Sequence, residues 1–204
     1  MLSQIRPAIV LLALFTLLTG LAYPLAITAV AQLVLPYQAN GSVLEVGGKS
    51  VGSELIGQNF ASDKYFHSRP SATQAQDPAH PDDSSKTIDA PYNAANSTGS
   101  NLGPTSQKLL DRVKADVAAK QAAGWTGPIP ADSVTTSASG LDPHISPENA
   151  LAQVAAVAKA RNLPADQVRS LVEANIEGRV AGLVGEPRVN VLRLNIALDA
   201  LKAS

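Results

Sequence analysis

Apolar residues fall in two regimes along this chain. From Pro7 to Val30 they are almost continuous, and no charged residue occurs between Arg6 and Glu45. As a helix that run is roughly 36 Å long, more than the ~30 Å of a hydrocarbon core. The pattern predicts a membrane helix over 7–35. Pro7 sits in the first turn, where a helix tolerates proline, and Pro36 is a natural stop. Pro24 lies inside and predicts a kink or local break, because it lacks an N–H and crowds the preceding turn. Thr16 and Gly20, with Pro24 one turn on, form the candidate face for packing on a partner helix. A cleavable signal peptide is the rival reading, with Ala29-Val30-Ala31 as its small-x-small exit. The run exceeds the roughly 7–15 residues of a signal core, so an uncleaved anchor is expected.

Beyond the anchor the pattern turns mixed. Val43, Leu44 and Val46 read as a short strand with Gly47-Gly48 as a turn. Ser53 to Phe60 fits one or two helical turns, and Tyr65-Phe66 a strand or a buried anchor. From Pro70 to Pro104 the chain is rich in Pro, Ser, Asn, Asp and Gly, with no apolar period; this predicts a long loop, either functional or mobile. Helical periodicity then returns. Thr105 or Ser106 caps a helix with Leu109, Leu110, Val113 and Val117 on one face, ended by Gly124. Ser146 caps the next, with Pro147 and Glu148 in its first turn and Leu151, Val154, Ala155 and Ala158 as its buried face. Pro164 opens a third, with Val168, Leu171, Val172 and Ile176 aligned and Gly178 closing it. Val180 to Val184 fits a strand. Asn190 starts a last helix with Val191, Leu194 and Leu198 on one side. The expected fold is a single N-terminal transmembrane α-helix plus a small α/β (α+β) domain with few short strands and about four helices.

Charge sets the topology and removes some functions. Arg6 and the amino terminus are the only positive groups before the span, so the positive-inside bias puts residues 1–6 in the cytoplasm and 36–204 outside. The chain has 16 basic and 17 acidic residues and a net charge of −1, which leaves no electrostatic footprint for nucleic acid. The pair of helices around Asn162-Leu163 is therefore read as αα packing, since the second is too poorly basic for a DNA-reading helix. There is no cysteine, hence no disulfide, CxxC centre or thiolate zinc site.

Candidate chemistry is sparse. Gly47-Gly48-Lys49-Ser50 looks like the end of a phosphate loop, but Val43 stands where the first glycine is needed. His80 lies among Asp77, Asp82 and Asp83; a solvated acidic loop explains them better than a hard-ion site. Asp142 can orient His144 as a carboxylate partner, or the two can fix a turn through backbone hydrogen bonds, the better-supported reading. No nucleophile sits in a recognisable elbow, so hydrolase chemistry is not expected.

Five segments in order resemble the C subunit of the bacterial Kdp-type potassium-transporting ATPase. They are Gly52-Ser53-Glu54-Leu55-Ile56-Gly57-Gln58; Tyr65-Phe66 with Arg69-Pro70-Ser71-Ala72; Tyr92-Asn93 with Gly99-Ser100-Asn101-Leu102-Gly103-Pro104; the run from Ser137 to Pro147 through Asp142-Pro143-His144; and Gly185-Glu186-Pro187-Arg188-Val189-Asn190-Val191-Leu192. The resemblance implies a non-catalytic accessory subunit of the bacterial inner membrane, required for assembly and activity. It implies as partners a channel-like potassium subunit and a P-type pump subunit, with a small single-span subunit as a further one. ATP then belongs to the pump subunit and K+ to the complex, and no cofactor is expected on this chain. The family is described as a catalytic chaperone that raises ATP affinity through a serine-glycine-rich stretch, which here is Ser97, Thr98, Gly99, Ser100 and Asn101; Thr98 stands where glycine is more usual. With the domain outside and ATP inside, such an effect has to be a coupling through partners. The residues expected to dock on the channel-like subunit are Tyr65, Phe66, Arg69, Pro70, Tyr92, Asn93, Ser100, Asn101, Leu102, Gly103, Asp142, His144 and Ser146.

Overall fold

In the computed structural model residues 2–201 are described. They form two compact units that divide between Ser53 and Glu54.

The first unit is a long apolar helix and a hairpin. Helices α1 (Ile5–Leu17) and α2 (Tyr23–Val34) are joined through a π-helical turn, Leu18–Ala22. Together they make one apolar helix, Ile5–Val34, long enough to cross a membrane. Pro24 lies in the first turn of α2, where it needs no N–H donor. The irregularity expected at Pro24 therefore sits one turn earlier, as a π-turn that absorbs the missing hydrogen bond. Gly20 lies inside that turn, and the Thr19 hydroxyl donates to the Phe15 carbonyl at 2.7 Å. A break at Leu35, before Pro36, ends the span and leads into the single turn α3 (Pro36–Ala39). Strands β1 (Val43–Val46) and β2 (Lys49–Ser53) then pair antiparallel. Gly47 and Gly48 connect them at φ +59° and +76°, values that suit a tight hairpin turn and not a phosphate cradle.

The second unit is a mixed helix–strand domain. Helices α5 (Pro147–Arg161), α6 (Ala165–Ala174) and α7 (Val191–Ala200) pack with a three-stranded antiparallel sheet, order β5 (His144–Ile145), β7 (Arg188–Asn190), β6 (Ile176–Glu177). Phe66, Val168, Val172, Val189, Leu194 and Leu198 are fully buried in its core. Ser146 caps α5 by accepting the Asn149 N–H at 3.1 Å, and Asn190 caps α7 by accepting the Arg193 N–H at 3.1 Å. Both are the expected helix starts. Helix α4 (Gln107–Ala122) starts at Ser106 and ends before Gly124, as expected. Its apolar stripe is only half covered, and Leu110 is exposed.

Several boundaries differ from the sequence reading. Ser53 to Phe60 forms no helix; Ser53 ends β2 and a turn follows. Tyr65-Phe66 pairs with no strand; the Tyr65 N–H closes a turn on the Ser62 carbonyl at 3.0 Å, and Phe66 is the buried anchor. The buried face of α5 is carried by Ala150, Gln153, Val154, Val157 and Ala158, whereas Ala155 is exposed and Leu151 only partly covered. Counting apolar residues alone misses this, because Gln153 occupies a core position. Helix α6 stops at Ala174, so Ile176 belongs to β6 and Gly178 does not close the helix. Val180–Val184 is a tight turn closed by one bridge between its ends, not a strand. The 70–104 segment contains a small hairpin, β3 (Gln74–Gln76) with β4 (Thr87–Asp89).

Candidate functional site

The docking candidates are organised around an irregular segment, Tyr65 to Ser71, that two helices hold by their side chains. Asn195 on α7 accepts the Phe66 N–H at 2.9 Å and donates to the Phe66 carbonyl at 3.0 Å. Gln153 on α5 does the same for His67, at 2.7 and 3.2 Å, and donates to Asn149 at 3.0 Å. Two amides thus replace the strand that Tyr65–His67 lacks, and they satisfy backbone groups that burial would otherwise leave unpaired. Sequence reasoning passed over both residues. Their signal is a polar side chain at a buried helical position.

Holding the backbone at His67 aims Arg69 at the Asp-Pro-His run. Its guanidinium donates to the Asp142 carboxylate at 3.0 Å and to the Thr136 carbonyl at 3.3 Å. Asp142 uses its other oxygen to accept the His144 N–H at 3.0 Å. That turn fixes the entry into β5, and it is the hydrogen-bonded turn expected of Asp142. His144 Nδ1 lies 3.8 Å from the same carboxylate.

Tyr92 closes the site from the third segment. Its hydroxyl donates to the Arg69 carbonyl at 2.7 Å, and its N–H donates to the Ser71 hydroxyl at 3.1 Å. Ser71 in turn donates to the Gly140 carbonyl at 2.8 Å. Asn93 follows with an amide that donates to the Gln74 carbonyl at 2.8 Å. Gly57 lies beneath Tyr92 and against the carbonyl of Asp142; a Cβ there would stand 2.4 Å from the ring and 2.5 Å from that oxygen. Only glycine permits this approach.

The serine-glycine stretch runs alongside. Ser97 donates to the Ser139 carbonyl at 3.1 Å, and a Cβ on Gly99 would come within 2.7 Å of the Ala138 carbonyl oxygen. Ser100 pairs with Thr136 at 3.4 Å. Asn101 and Gly103 are exposed, Leu102 is partly covered, and Asn101 has φ +51°. Ser146 stands at the head of α5, where Asp132 accepts its N–H at 2.8 Å, its hydroxyl at 2.9 Å and the Asn149 amide at 3.0 Å. Asp132 had no sequence signal at all. Pro70 is partly covered in the same strip, and Phe66 is too deeply buried to offer surface.

The result is a partly covered polar strip with Arg69 and Asp142 at its centre. One shallow depression beside it is lined by His144, Ser146, Glu186 and Arg188; another is lined by Leu55, Ile56 and Ser137 to Ser139. Burial, with Arg188 next in weight, holds the His144 imidazole below its ordinary pKa. Burial likewise pushes the Tyr92 hydroxyl up to about 12, so it remains a donor. Among the described residues no group of three or more His, Asp or Glu side chains could hold a metal ion; the His80 ring pairs with Asp77 at 3.0 Å, on the β3–β4 hairpin. The strip offers shape, hydrogen bonds and one ion pair, the equipment of a protein contact.

The family model for the K+-transporting ATPase c chain, KdpC, matches residues 5–200. The chain belongs to the KdpC family. It is 62% identical over 200 residues to a potassium-transporting ATPase KdpC subunit of Rhodopseudomonas palustris, covering 98% of each chain. It is 61% identical over 203 residues to the KdpC subunit of Bradyrhizobium diazoefficiens, covering 100% of each, and 61% identical over 201 residues to that of Methylobacterium nodulans, covering 98% of each.

Proposed function

We propose that this KdpC-family chain is an accessory, non-catalytic subunit of an ATP-driven potassium-uptake complex. Helix Ile5–Val34 anchors it in the bacterial inner membrane with its amino terminus inside and its second unit outside. The strip around Arg69 and Asp142 docks on the outer face of the channel-like subunit and holds the complex together. The observation that carries this reading is convergence. Gly57, Arg69, Tyr92, Ser97–Ser100 and Ser137–Ser146 come from four family segments, and they meet in one partly exposed strip whose bonds fix its shape.

Any effect on ATP affinity in the pump subunit is then a coupling free energy carried through the partners. Direct contact with nucleotide through Ser97–Asn101 is the less supported reading. Gly99 is spent on close approach to Ala138, and Ser97 on the Ser139 carbonyl, so neither is free to cradle phosphate.

The test is recovery of the channel-like and pump subunits with the full-length chain in mild detergent, from the native host grown at low potassium. Arg69→Ala and Asn101→Ala should lower that recovery and potassium uptake together. Intact assembly and uptake in both variants would end the docking reading. Protease access to the second unit in intact spheroplasts should be complete; protection there would overturn the outward topology.

A further inference from the structure

The tight turn between β6 and β7 is a second feature of the exposed surface. It presents Val180, Leu183 and Val184 at 66%, 82% and 68% exposure. Isolated exposed aliphatic residues are ordinary, but three at one tip are not. The tip is also built to keep its shape. Val180 and Val184 exchange backbone hydrogen bonds at 2.9 and 3.1 Å, and the N–H groups of Gly182 and Leu183 donate back to Arg179 and Val180. Ala181, Gly182 and Gly185 take the left-handed positions, at φ +51°, +74° and +85°. At the base Arg179 pairs with Glu186 at 2.7 Å and Arg188 with Glu177 at 3.0 Å.

We infer that this turn is a preformed apolar knob that inserts into an apolar socket on the outer face of the channel-like subunit. The inference rests on the docking reading above and extends it to a segment outside that strip. Backbone groups that already satisfy one another enter an apolar site without the usual desolvation cost. A braced turn loses little conformational entropy on binding. The arm that descends from the knob, Glu186 to Arg188, lines the same depression as Arg69, Asp142 and His144, so knob and strip form one continuous surface. A bilayer surface fits less well. The four charges at the base cancel, giving no pull toward anionic headgroups, and the turn carries no Trp or Tyr to sit at that interface.

The chain has no cysteine, so Leu183→Cys provides a unique label within it. In the assembled complex that thiol should react with a maleimide at least tenfold more slowly than in the lone full-length chain in lipid vesicles. Leu183→Asp should cut recovery of the partner subunits at least tenfold, and its melting temperature should match that of the wild type, because the residue is 82% exposed to begin with. Equal labelling in both states, or wild-type recovery of Leu183→Asp, overturns the knob. Slow labelling of the lone chain in vesicles would assign the tip to lipid, and a dimer of the lone chain lost on Leu183→Asp would assign it to a second copy; either result also overturns it. If Arg69→Ala loses the partners while Leu183→Asp keeps them, the knob fails and the docking strip stands.

Discussion

Arg69 and Asp142 lie 73 residues apart in the chain and meet at 3.0 Å, with Asp142 at the same time holding the His144 N–H. One carboxylate thereby joins an ion pair to a turn. The two roles separate by substitution. Asp142→Asn keeps an oxygen for the His144 N–H and loses only the charge, so it should cost about 1 kcal/mol, in the range of a half-exposed ion pair. Asp142→Ala loses both and leaves the Arg69 guanidinium without its anion, for about 2–3 kcal/mol. Urea unfolding of the purified chain reads the difference, and equal losses in the two variants would show that the turn contributes nothing.

Gly57 gives a steric test of the same junction. Gly57→Ala places a methyl 2.4 Å from the Tyr92 ring and 2.5 Å from the Asp142 carbonyl oxygen. One of them must move, at about 1–3 kcal/mol. Gly103→Ala meets nothing within 4 Å and should change stability by less than about 0.5 kcal/mol. Thermal melts of the two variants side by side check this, and the Gly57 variant should also recover less of the partner subunits.

Asn195→Leu removes both hydrogen bonds to Phe66 while keeping the side-chain volume close to that of the amide. Phe66 and Asn195 are both buried, so the orphaned N–H and C=O find no water, and the loss should reach about 2–4 kcal/mol. Gln153→Leu should behave likewise through His67, somewhat more mildly because that segment is only half-buried. Hydrogen exchange at the Phe66 and His67 amides should accelerate in the respective variant and not in the other.

These residues also show where the sequence is readable. The apolar helix is legible because a run long enough to cross hydrocarbon has to be almost unbroken, and the run from Pro7 to Val30 is. The starts of α5 and α7 are legible because Ser146 and Asn190 are local devices that act within three residues. Phe66 is legible as an anchor, but what holds it is not, since Asn195 lies 129 residues away and looks like a misplaced polar residue on an apolar helix. The Val180–Val184 alternation reads as a strand until the positive φ of Gly182 closes the chain on itself. Asp132 serves Ser146 and Asn149 through space alone, and no spacing rule reaches that far.

Acidification should loosen the domain in a window set by two histidines. Burial, then the charge of Lys120, lowers the pKa of His67; burial, then the charge of Arg188, lowers that of His144. Both values start from 6.5 in the unfolded chain. A group with a lowered folded pKa binds its proton first in the unfolded state, so the unfolded state gains as pH falls. Above the unfolded value neither histidine contributes. Below it stability falls, and the loss is complete only once the pH has dropped past the folded pKa values. Melting temperature should therefore be flat from pH 8 to about 7 and decline by a few degrees toward pH 5.5, before ordinary carboxylates begin to titrate. The Ser62 backbone and Asp63 oppose the shift at His67, and Asp142, Glu177 and Glu54 oppose it at His144; His67→Gln and His144→Gln should each remove part of the decline, and the double variant nearly all of it. A decline that persists in the double variant would place the proton uptake on other groups.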